Sequence, residues 1–200
     1  MTALPVFGAG IWHFATYLDR YATEGYGEPV GLIEQIDLAG AVGDLSVVDL
    51  NWPFAGFDGT LDDVKTALAR NDLRAVAITP EIYNKDYIKG SITNPDPAVR
   101  AQALALLNEA TELAKELCCD YVKLWFGQDG WDYPFQVNYA AAWTLATDGP
   151  GEVDLLDQAD GIPVTLGGVA VQVGGEVPDA CAEDWQGGHG SPFVERRSAE

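Results

Sequence analysis

Short runs of β-branched and aromatic residues alternate with longer helical patterns along the first three quarters of this 200-residue chain. A strand that is followed each time by an amphipathic helix is typical of repeated βα units, which build a parallel sheet covered by helices. The alternation therefore predicts an α/β fold with about four βα units. The first strand and its loop are predicted over residues 6–14, and the other strands over residues 45–50, 74–79 and 120–125.

The predicted helices have recognisable starts and one apolar face each. Thr60, with Asp63 three residues later, has the pattern of a capping box. Asp96 before Pro97 is a strong helix start, because aspartate can cap free amides and proline fits the first helical position. The apolar residues that follow these starts recur at helical spacing. The predicted helices lie near residues 32–39, 60–68, 96–117 and 139–146.

The composition changes after about Thr147. From Leu124 through Glu195 the sequence has no lysine or arginine, and glycine becomes frequent. We divide the chain into residues 1–147, which carry the βα units, and a glycine-rich acidic tail, residues 148–200. In the tail, two strand patterns flank a Gly-Gly pair and predict a β-hairpin, after which we expect loop or disorder. The hairpin strands are predicted at 162–166 and 169–173.

Four βα units fit two architectures. An open doubly wound sheet and one half of an eightfold barrel are built with the same right-handed connections. A complete barrel takes about 250 residues, so a chain with units of this size is too short to complete one. The abrupt loss of basic residues in the tail favours a truncated or out-of-frame continuation of a longer gene over a genuine alternative ending.

The chain is strongly acidic. Its 11 Lys and Arg against 31 Asp and Glu give a formal net charge of −20. A surface of that charge repels phosphate backbones and anionic lipid head groups, so we expect neither nucleic acid nor membrane as a partner. No stretch of about 18 apolar residues is present, and the N-terminus lacks the basic region of a signal peptide. The expected location is cytoplasmic.

Motifs for metal binding and nucleophilic catalysis are scarce. Cys118, Cys119 and Cys181 form neither a disulfide framework nor a paired zinc motif, so we expect buried or unreactive thiols. His13 and His189 are the only histidines. The Gly-Ala-Gly sequence at residues 8–10 does not complete a dinucleotide motif, and the chain has no P-loop, nucleophile elbow or H-E-x-x-H pattern.

Polar and aromatic residues follow each predicted strand. In either architecture ligands approach the carboxyl ends of parallel strands, so these residues are candidates for binding. Indole rings stack on the apolar faces of sugars while amides and carboxylates bind hydroxyls, so the combination suits a polyol. Alternatively, the tryptophans are core residues at the mouth of the sheet and the acids are solvated in loops. The residues concerned are Trp12, His13, Asp49, Asn51, Trp52, Glu81, Tyr83, Lys123, Trp125, Gln128, Asp129, Trp131 and Asp132.

Four stretches carry a resemblance to a known family. They are GIWHFATYLDRYATEGYGEP (10–29), VVDLNWPF (47–54), the helical segment 90–117, and YVKLWFGQDGWDYPFQ (121–136). The most specific piece is the pattern W-x-G-x-D-G-x-x-Y-P-x-Q, which ends at Gln136. These stretches resemble the xylose-isomerase-like TIM barrels, which are sugar isomerases and epimerases, and among them the rhamnose-isomerase-like branch. The resemblance covers about residues 5–147 and implies the N-terminal half of a (β/α)8 TIM barrel followed by an irregular tail.

The resemblance also implies a reaction, namely the metal-dependent isomerisation of an aldose to a ketose, or an epimerisation, of a small-molecule sugar. In the family a divalent metal (Mn, Mg, Co or Zn) holds the sugar oxygens, and its ligands come from the second half of the barrel, including a Glu-x-Lys pattern. This chain has no lysine after Lys123 and only His189 as a later histidine, so we expect no bound metal and no turnover. The positions that match the substrate rim are Trp12, His13, Asn51, Trp52, Trp125, Asp129 and Gln136.

Two other functions stay open. A half-barrel leaves unpaired strand edges and an uncovered inner face, which favours a non-catalytic module that pairs with a second copy as a homo-oligomer. The other alternative is a small open α/β domain that binds a ligand without any sugar chemistry. The long tryptophan-bearing segment after the fourth strand argues against it, because an open sheet does not need such a segment.

Overall fold

The strands of the sheet lie side by side in the order in which they occur in the chain. The computed structural model describes residues 6–54, 56–126, 135–152, 164–166 and 169–171. The strands are β1 (Gly8–Gly10), β2 (Val47–Trp52), β3 (Arg74–Pro80), β4 (Tyr121–Leu124), β5 (Val164–Leu166) and β6 (Val169–Val171). Neighbours from β1 to β5 pair in parallel, and β6 pairs antiparallel with β5.

Four helices lie in the described ranges, together with two short 3-10 helices. The helices are α1 (Leu32–Ala41), α2 (Leu61–Arg70), α3 (Pro97–Glu116) and α4 (Tyr139–Glu152). One helix stands in each connection between β1 and β5, which is how parallel strands are joined. The predicted α/β fold with a parallel sheet and helical crossovers is confirmed.

The starts of α2 and α3 are capped as the sequence predicts. The Thr60 hydroxyl accepts a hydrogen bond from the Asp63 amide, and the Asp63 carboxylate accepts one from the Thr60 amide at 2.8 Å. The carboxylate of Asp96 accepts a hydrogen bond from the amide of Ala98 at 2.9 Å, with Pro97 in the first helical position. These contacts satisfy amides that have no partner inside the helix.

Helices α1, α2 and α3 pack on one face of the sheet. Ile36, Val64 and Leu107, one from each helix, are completely buried in the same cluster as Leu50 of β2 and Ile78 of β3. Burying a side chain of this size contributes about 1.5–3 kcal/mol. The apolar layer between helices and sheet is therefore the main source of stability.

The opposite face of the sheet is polar. Side chains alternate between the two faces of a strand, so the residues next to the buried Leu50 and Ile78 point away from the helices. A shift of register after Val48 places Asp49 opposite Ala77 and Asn51 opposite Thr79. We call this side the inner face, and the residues of it that matter below are Asp49, Asn51, Thr79 and Lys123.

The structure differs from the sequence predictions mainly after Thr147. Within residues 6–14, predicted as the first strand and its loop, β1 covers Gly8–Gly10 and a 3-10 helix follows over Ile11–Phe14. Helix α4 continues past Thr147 to Glu152. The paired strands β5 and β6 belong to the predicted tail, and β5 extends the parallel sheet by pairing with β4, which the sequence did not predict. The remaining predicted loop or disorder of the tail lies outside the described residues.

The cysteines depart in part from expectation. The thiol of Cys119 is free and buried, and burial raises its pKa to about 12. Cys118 is disulfide-bonded, so the expectation of an unreactive thiol at that position was wrong.

No helix in the described ranges has the length and apolar character needed to cross a membrane.

Candidate functional site

A series of contacts crosses the inner face. It joins residues of β2, β3 and β4 to Trp12, which follows β1. One carboxylate oxygen of Asp49 accepts a hydrogen bond from the Thr79 hydroxyl at 2.8 Å. The other oxygen accepts one from the ammonium group of Lys123. The same ammonium lies 4.4 Å from the centre of the Trp12 ring, within the range of a cation–π interaction. The contacts therefore run in the order Thr79, Asp49, Lys123 and Trp12.

A second cluster lies at the carboxyl ends of β2 and β3. The amide nitrogen of Asn51 donates hydrogen bonds to a Glu81 carboxylate oxygen and to the Tyr83 hydroxyl oxygen, both at 3.1 Å. The ring of Tyr83 meets the ring of Trp125 edge to face, with 4.8 Å between centroids. Burial raises the pKa of Tyr83 to about 12, and the charges of Glu81 and Asp49 add to the shift. The Tyr83 hydroxyl therefore keeps its proton at neutral pH.

The side-chain oxygen of Asn51 is the exception in this cluster. It is buried and has no hydrogen-bond partner among the described residues. Buried polar atoms are almost always satisfied, so an acceptor in this condition at the wall of a cavity is a natural partner for a hydroxyl group of a ligand.

A cavity of about 140 Å³ lies beside both clusters. Its wall combines the Trp12 indole, the Asn51 amide and the Glu81 carboxylate with apolar side chains from the 3-10 helix and α1. Such a mixture of an aromatic wall and a few polar groups is typical of small-molecule sites. The lining residues are Ile11, Trp12, Ala15, Leu32, Gln35, Asn51, Pro53, Phe54 and Glu81.

Of the predicted rim residues, Trp12 and Asn51 line this cavity. His13 lies beside them, but its Nδ1 atom is 2.9 Å from the carbonyl oxygen of Gly10, so that nitrogen is engaged with the backbone. The indole of Trp52 donates a hydrogen bond to the Glu109 carboxylate of α3 at 3.1 Å, which directs Trp52 to the helical side of the sheet.

The other three residues of the predicted rim follow β4, and the two of them that the structure describes are not among the residues that line the cavity. Trp125 contacts Tyr83 and is 56% exposed. Gln136 lies in an exposed turn before α4. Asp129 lies outside the described residues, so its predicted role stays a prediction.

The structure also brings to the inner face Asp49, Glu81 and Lys123, which were named from the sequence as strand-end candidates but not included in the rim, and Thr79, which was not named. A usable signal was present for two of them. Asp49 and Lys123 are charges of opposite sign inside otherwise apolar strands, and a charge in a buried strand needs a partner. Which partner it takes depends on the register, which local sequence does not specify.

A divalent metal centre does not fit the described residues. Within the ranges that the structure describes, no three His, Cys, Asp or Glu side chains converge on one point. The carboxylate of Asp49 is already paired with Lys123, and that of Glu81 with Asn51. Hard divalent cations need several oxygen ligands around one centre, and these residues do not supply them.

Comparison with known proteins finds a similar sequence and a similar structure. No family model matches the chain. A xylose isomerase of Thermus thermophilus is 29% identical over 108 residues, which are 52% of this chain and 28% of that protein. The structure of an L-ribulose 3-epimerase superposes with a TM-score of 0.57 at 16% sequence identity, covering 82% of this chain and 49% of the other.

A xylose isomerase domain protein from Planctomyces limnophilus superposes with a TM-score of 0.46 at 14% identity, over 81% of this chain and 53% of that one. A TM-score of 0.46 does not indicate a shared fold, whereas the value of 0.57 for the epimerase does. In each of these comparisons the match spans about half of the other protein or less. The rhamnose-isomerase-like branch stays a prediction. The chain therefore has the fold of a partial TIM barrel, and over about half of its length its sequence is similar to that of a xylose isomerase.

Proposed function

We propose that this chain supplies the sugar-binding wall of a monosaccharide isomerase or epimerase. The observation that carries the proposal is the cavity in which the Trp12 indole, the Asn51 amide and the Glu81 carboxylate meet. An indole face packs against the C–H groups of a sugar ring. The amide and carboxylate oxygens accept hydrogen bonds from its hydroxyl groups.

The size of the cavity supports a single sugar unit as ligand. At about 140 Å³, it is close to the volume of about 150 Å³ that holds one benzene molecule in an engineered protein cavity. One small ring is therefore a better match than an oligosaccharide. Xylose and L-ribulose, the sugars in the names of the similar proteins, are the appropriate probes.

We assign binding, and not the chemical step, to the described residues. In the proposed parent reaction a divalent metal would supply Lewis-acid chemistry at the sugar oxygens, and the described residues do not assemble a centre for it. Glu81, Asn51 and Trp12 would orient the sugar, with the Tyr83 hydroxyl fixing the Asn51 amide. We therefore expect this chain to bind a monosaccharide and to show no turnover by itself.

Saturation-transfer NMR and calorimetry with xylose and with L-ribulose test the proposal. We expect binding by the 200-residue chain and a loss of about tenfold in affinity for Asn51→Ala, which removes the amide, and for Glu81→Gln, which replaces one charged acceptor oxygen by an NH2 donor. Trp143→Ala, which removes an exposed indole of α4 away from the cavity, is the control and should bind normally.

Two results would contradict the proposal. Wild-type chain that binds neither sugar at millimolar concentration would exclude these monosaccharides as ligands. Equal affinity of wild type, Asn51→Ala and Glu81→Gln would show that any sugar binds elsewhere. An assay for ketose formation with added Mn²⁺ or Co²⁺ tests the second expectation, and turnover there would show that the binding-only assignment is wrong.

A further inference from the structure

We propose that Lys123 is a positioning residue that holds the indole of Trp12 in place as the stacking wall of the cavity. This inference rests on the sugar-binding function proposed above, since only a bound sugar gives the wall its purpose. Lys123 itself is absent from the cavity lining, so it acts through Trp12 and not on the ligand.

The ammonium group of Lys123 is fixed by its contact with Asp49. Lys123 lies on β4 and reaches over β3 to the carboxylate of Asp49 on β2. Ala77, which is opposite Asp49, has a small side chain and leaves room on β3 for the lysine stem. The hydroxyl of Thr79 holds the second oxygen of Asp49. The position of the charge is therefore set by strands that do not carry Trp12.

The ion pair between Asp49 and Lys123 is largely shielded from water. The side chain of Asp49 is 10% exposed and that of Lys123 is 28% exposed. If the two side chains moved apart, each charge would be left without its partner in a site with little water, which is unfavourable. The pair therefore keeps its geometry. Shielding also strengthens the attraction between a cation and the face of an indole.

Packing alone does not fix the indole of Trp12. Trp12 lies in a short 3-10 helix directly after β1 and is 40% exposed, so packing covers only part of its ring. The ammonium of Lys123 at 4.4 Å from the ring centre supplies a directed contact on the inner face. A ring held there presents its remaining surface to the cavity, which it lines.

A Lys123 that only neutralises Asp49 can be distinguished from one that also positions Trp12. If Lys123 only neutralised Asp49, removing both charges together would leave the indole and sugar binding unchanged. Replacing a buried pair by neutral groups of similar size is often tolerated, so the double variant Asp49→Asn/Lys123→Met is expected to fold. It therefore separates positioning from charge compensation.

The experiment uses the full chain labelled with 5-fluorotryptophan. The ¹⁹F resonance of Trp12 is assigned from Trp12→Phe and followed without sugar, and xylose affinity is measured on the same samples. In Asp49→Asn/Lys123→Met we expect the Trp12 resonance to move and xylose affinity to fall by about threefold to tenfold. Lys123→Arg, which restores a cation, should keep both near wild type. Lys115→Met is the control, because Lys115 pairs with Glu112 on the surface of α3.

A folded double variant with an unmoved Trp12 resonance and wild-type affinity would overturn the inference. Failure of the proposed function has a different signature. Wild-type chain that does not bind xylose contradicts sugar binding by this probe, whereas the Trp12 resonance, measured without ligand, still decides whether Lys123 positions the indole.

Discussion

The ring of Trp12 occupies the space into which a side chain at Gly10 would project. A Cβ atom at Gly10 would lie 2.1 Å from Cζ2 of the indole, far inside contact distance. Gly10 is the last residue of β1 and is paired with Asp49, so the missing side chain lies on the inner face. The backbone of Gly10 has φ −72°, which any residue adopts, so the requirement for glycine here is steric.

Replacing Gly10 by alanine should therefore displace the indole without straining the backbone. We expect Gly10→Ala to move the ¹⁹F resonance of labelled Trp12 and to weaken xylose binding by about tenfold or less, the range for loss of one aromatic contact. Gly27→Ala is the matched control, since a Cβ at Gly27 meets no atom within 4 Å. An unchanged Trp12 resonance in Gly10→Ala would show that the ring has another position available.

The layer between helices and sheet should dominate stability. Ile36 of α1 is completely buried, whereas Leu38 on the same helix is 43% exposed. We expect Ile36→Ala to lower the free energy of unfolding by about 2–5 kcal/mol, because it removes buried methyl groups and leaves a cavity. Leu38→Ala should cost no more than about 0.5 kcal/mol. Urea denaturation measures both, and equal losses would mean that α1 packs differently.

The cap of α2 gives a smaller effect. Thr60→Ala removes the hydroxyl that accepts from the Asp63 amide, and we expect a loss of about 1 kcal/mol in the free energy of unfolding. Thr66→Ala, at an exposed position inside the same helix, should be neutral or slightly stabilising, because alanine has the higher helix propensity. Thermal unfolding of the two variants makes the comparison. A destabilised Thr66→Ala would point to a contact of Thr66 that matters more than the cap.

Acid stability should depend on Asp37. Hydrogen bonds from Arg70 and then from Asn71 lower the pKa of the Asp37 carboxyl below its ordinary value. A lowered pKa in the folded state stabilises the fold above the ordinary pKa of aspartate, about 3.9, and this contribution is lost as the pH falls through the lowered pKa.

We expect Asp37→Asn to reduce the dependence of unfolding free energy on pH below about pH 4, since the titrating group is gone. Urea unfolding at a series of pH values from neutral to acidic measures the slope. Asp62→Asn, at an exposed position in the first turn of α2, removes the same charge and should leave the slope closer to that of wild type. Equal slopes for wild type and Asp37→Asn would contradict the expectation.

Local patterns were sufficient to predict most of the elements. Asp96 before Pro97 correctly located the start of α3, because a cap and a fixed proline φ act within a few residues. The valine-rich run that contains Val47 and Val48 correctly located β2. Residues 6–14 were predicted as a strand with its loop but without the boundary between them, since the apolar and aromatic character of Ile11–Phe14 does not distinguish a strand from a 3-10 helix.

The candidate site was less predictable, because its contacts depend on register. Asn51 and Trp12 were identified as residues at strand ends, and both line the cavity. Trp52 is adjacent to Asn51, but strand alternation sends it to the opposite face, where Glu109 of α3 accepts its N–H. The contact of Lys123 with Asp49 joins strands that are not neighbours, and no local pattern encodes such a distance.

Asp49 and Lys123 are 74 residues apart in the chain. A nascent polypeptide that has left the ribosome only as far as α3 therefore carries the Asp49 carboxylate without its counter-ion. Burying an uncompensated charge is unfavourable, so we expect that carboxylate to stay in contact with water until β4 has been made. Lys123 of β4 then supplies the positive charge with which the carboxylate can be buried.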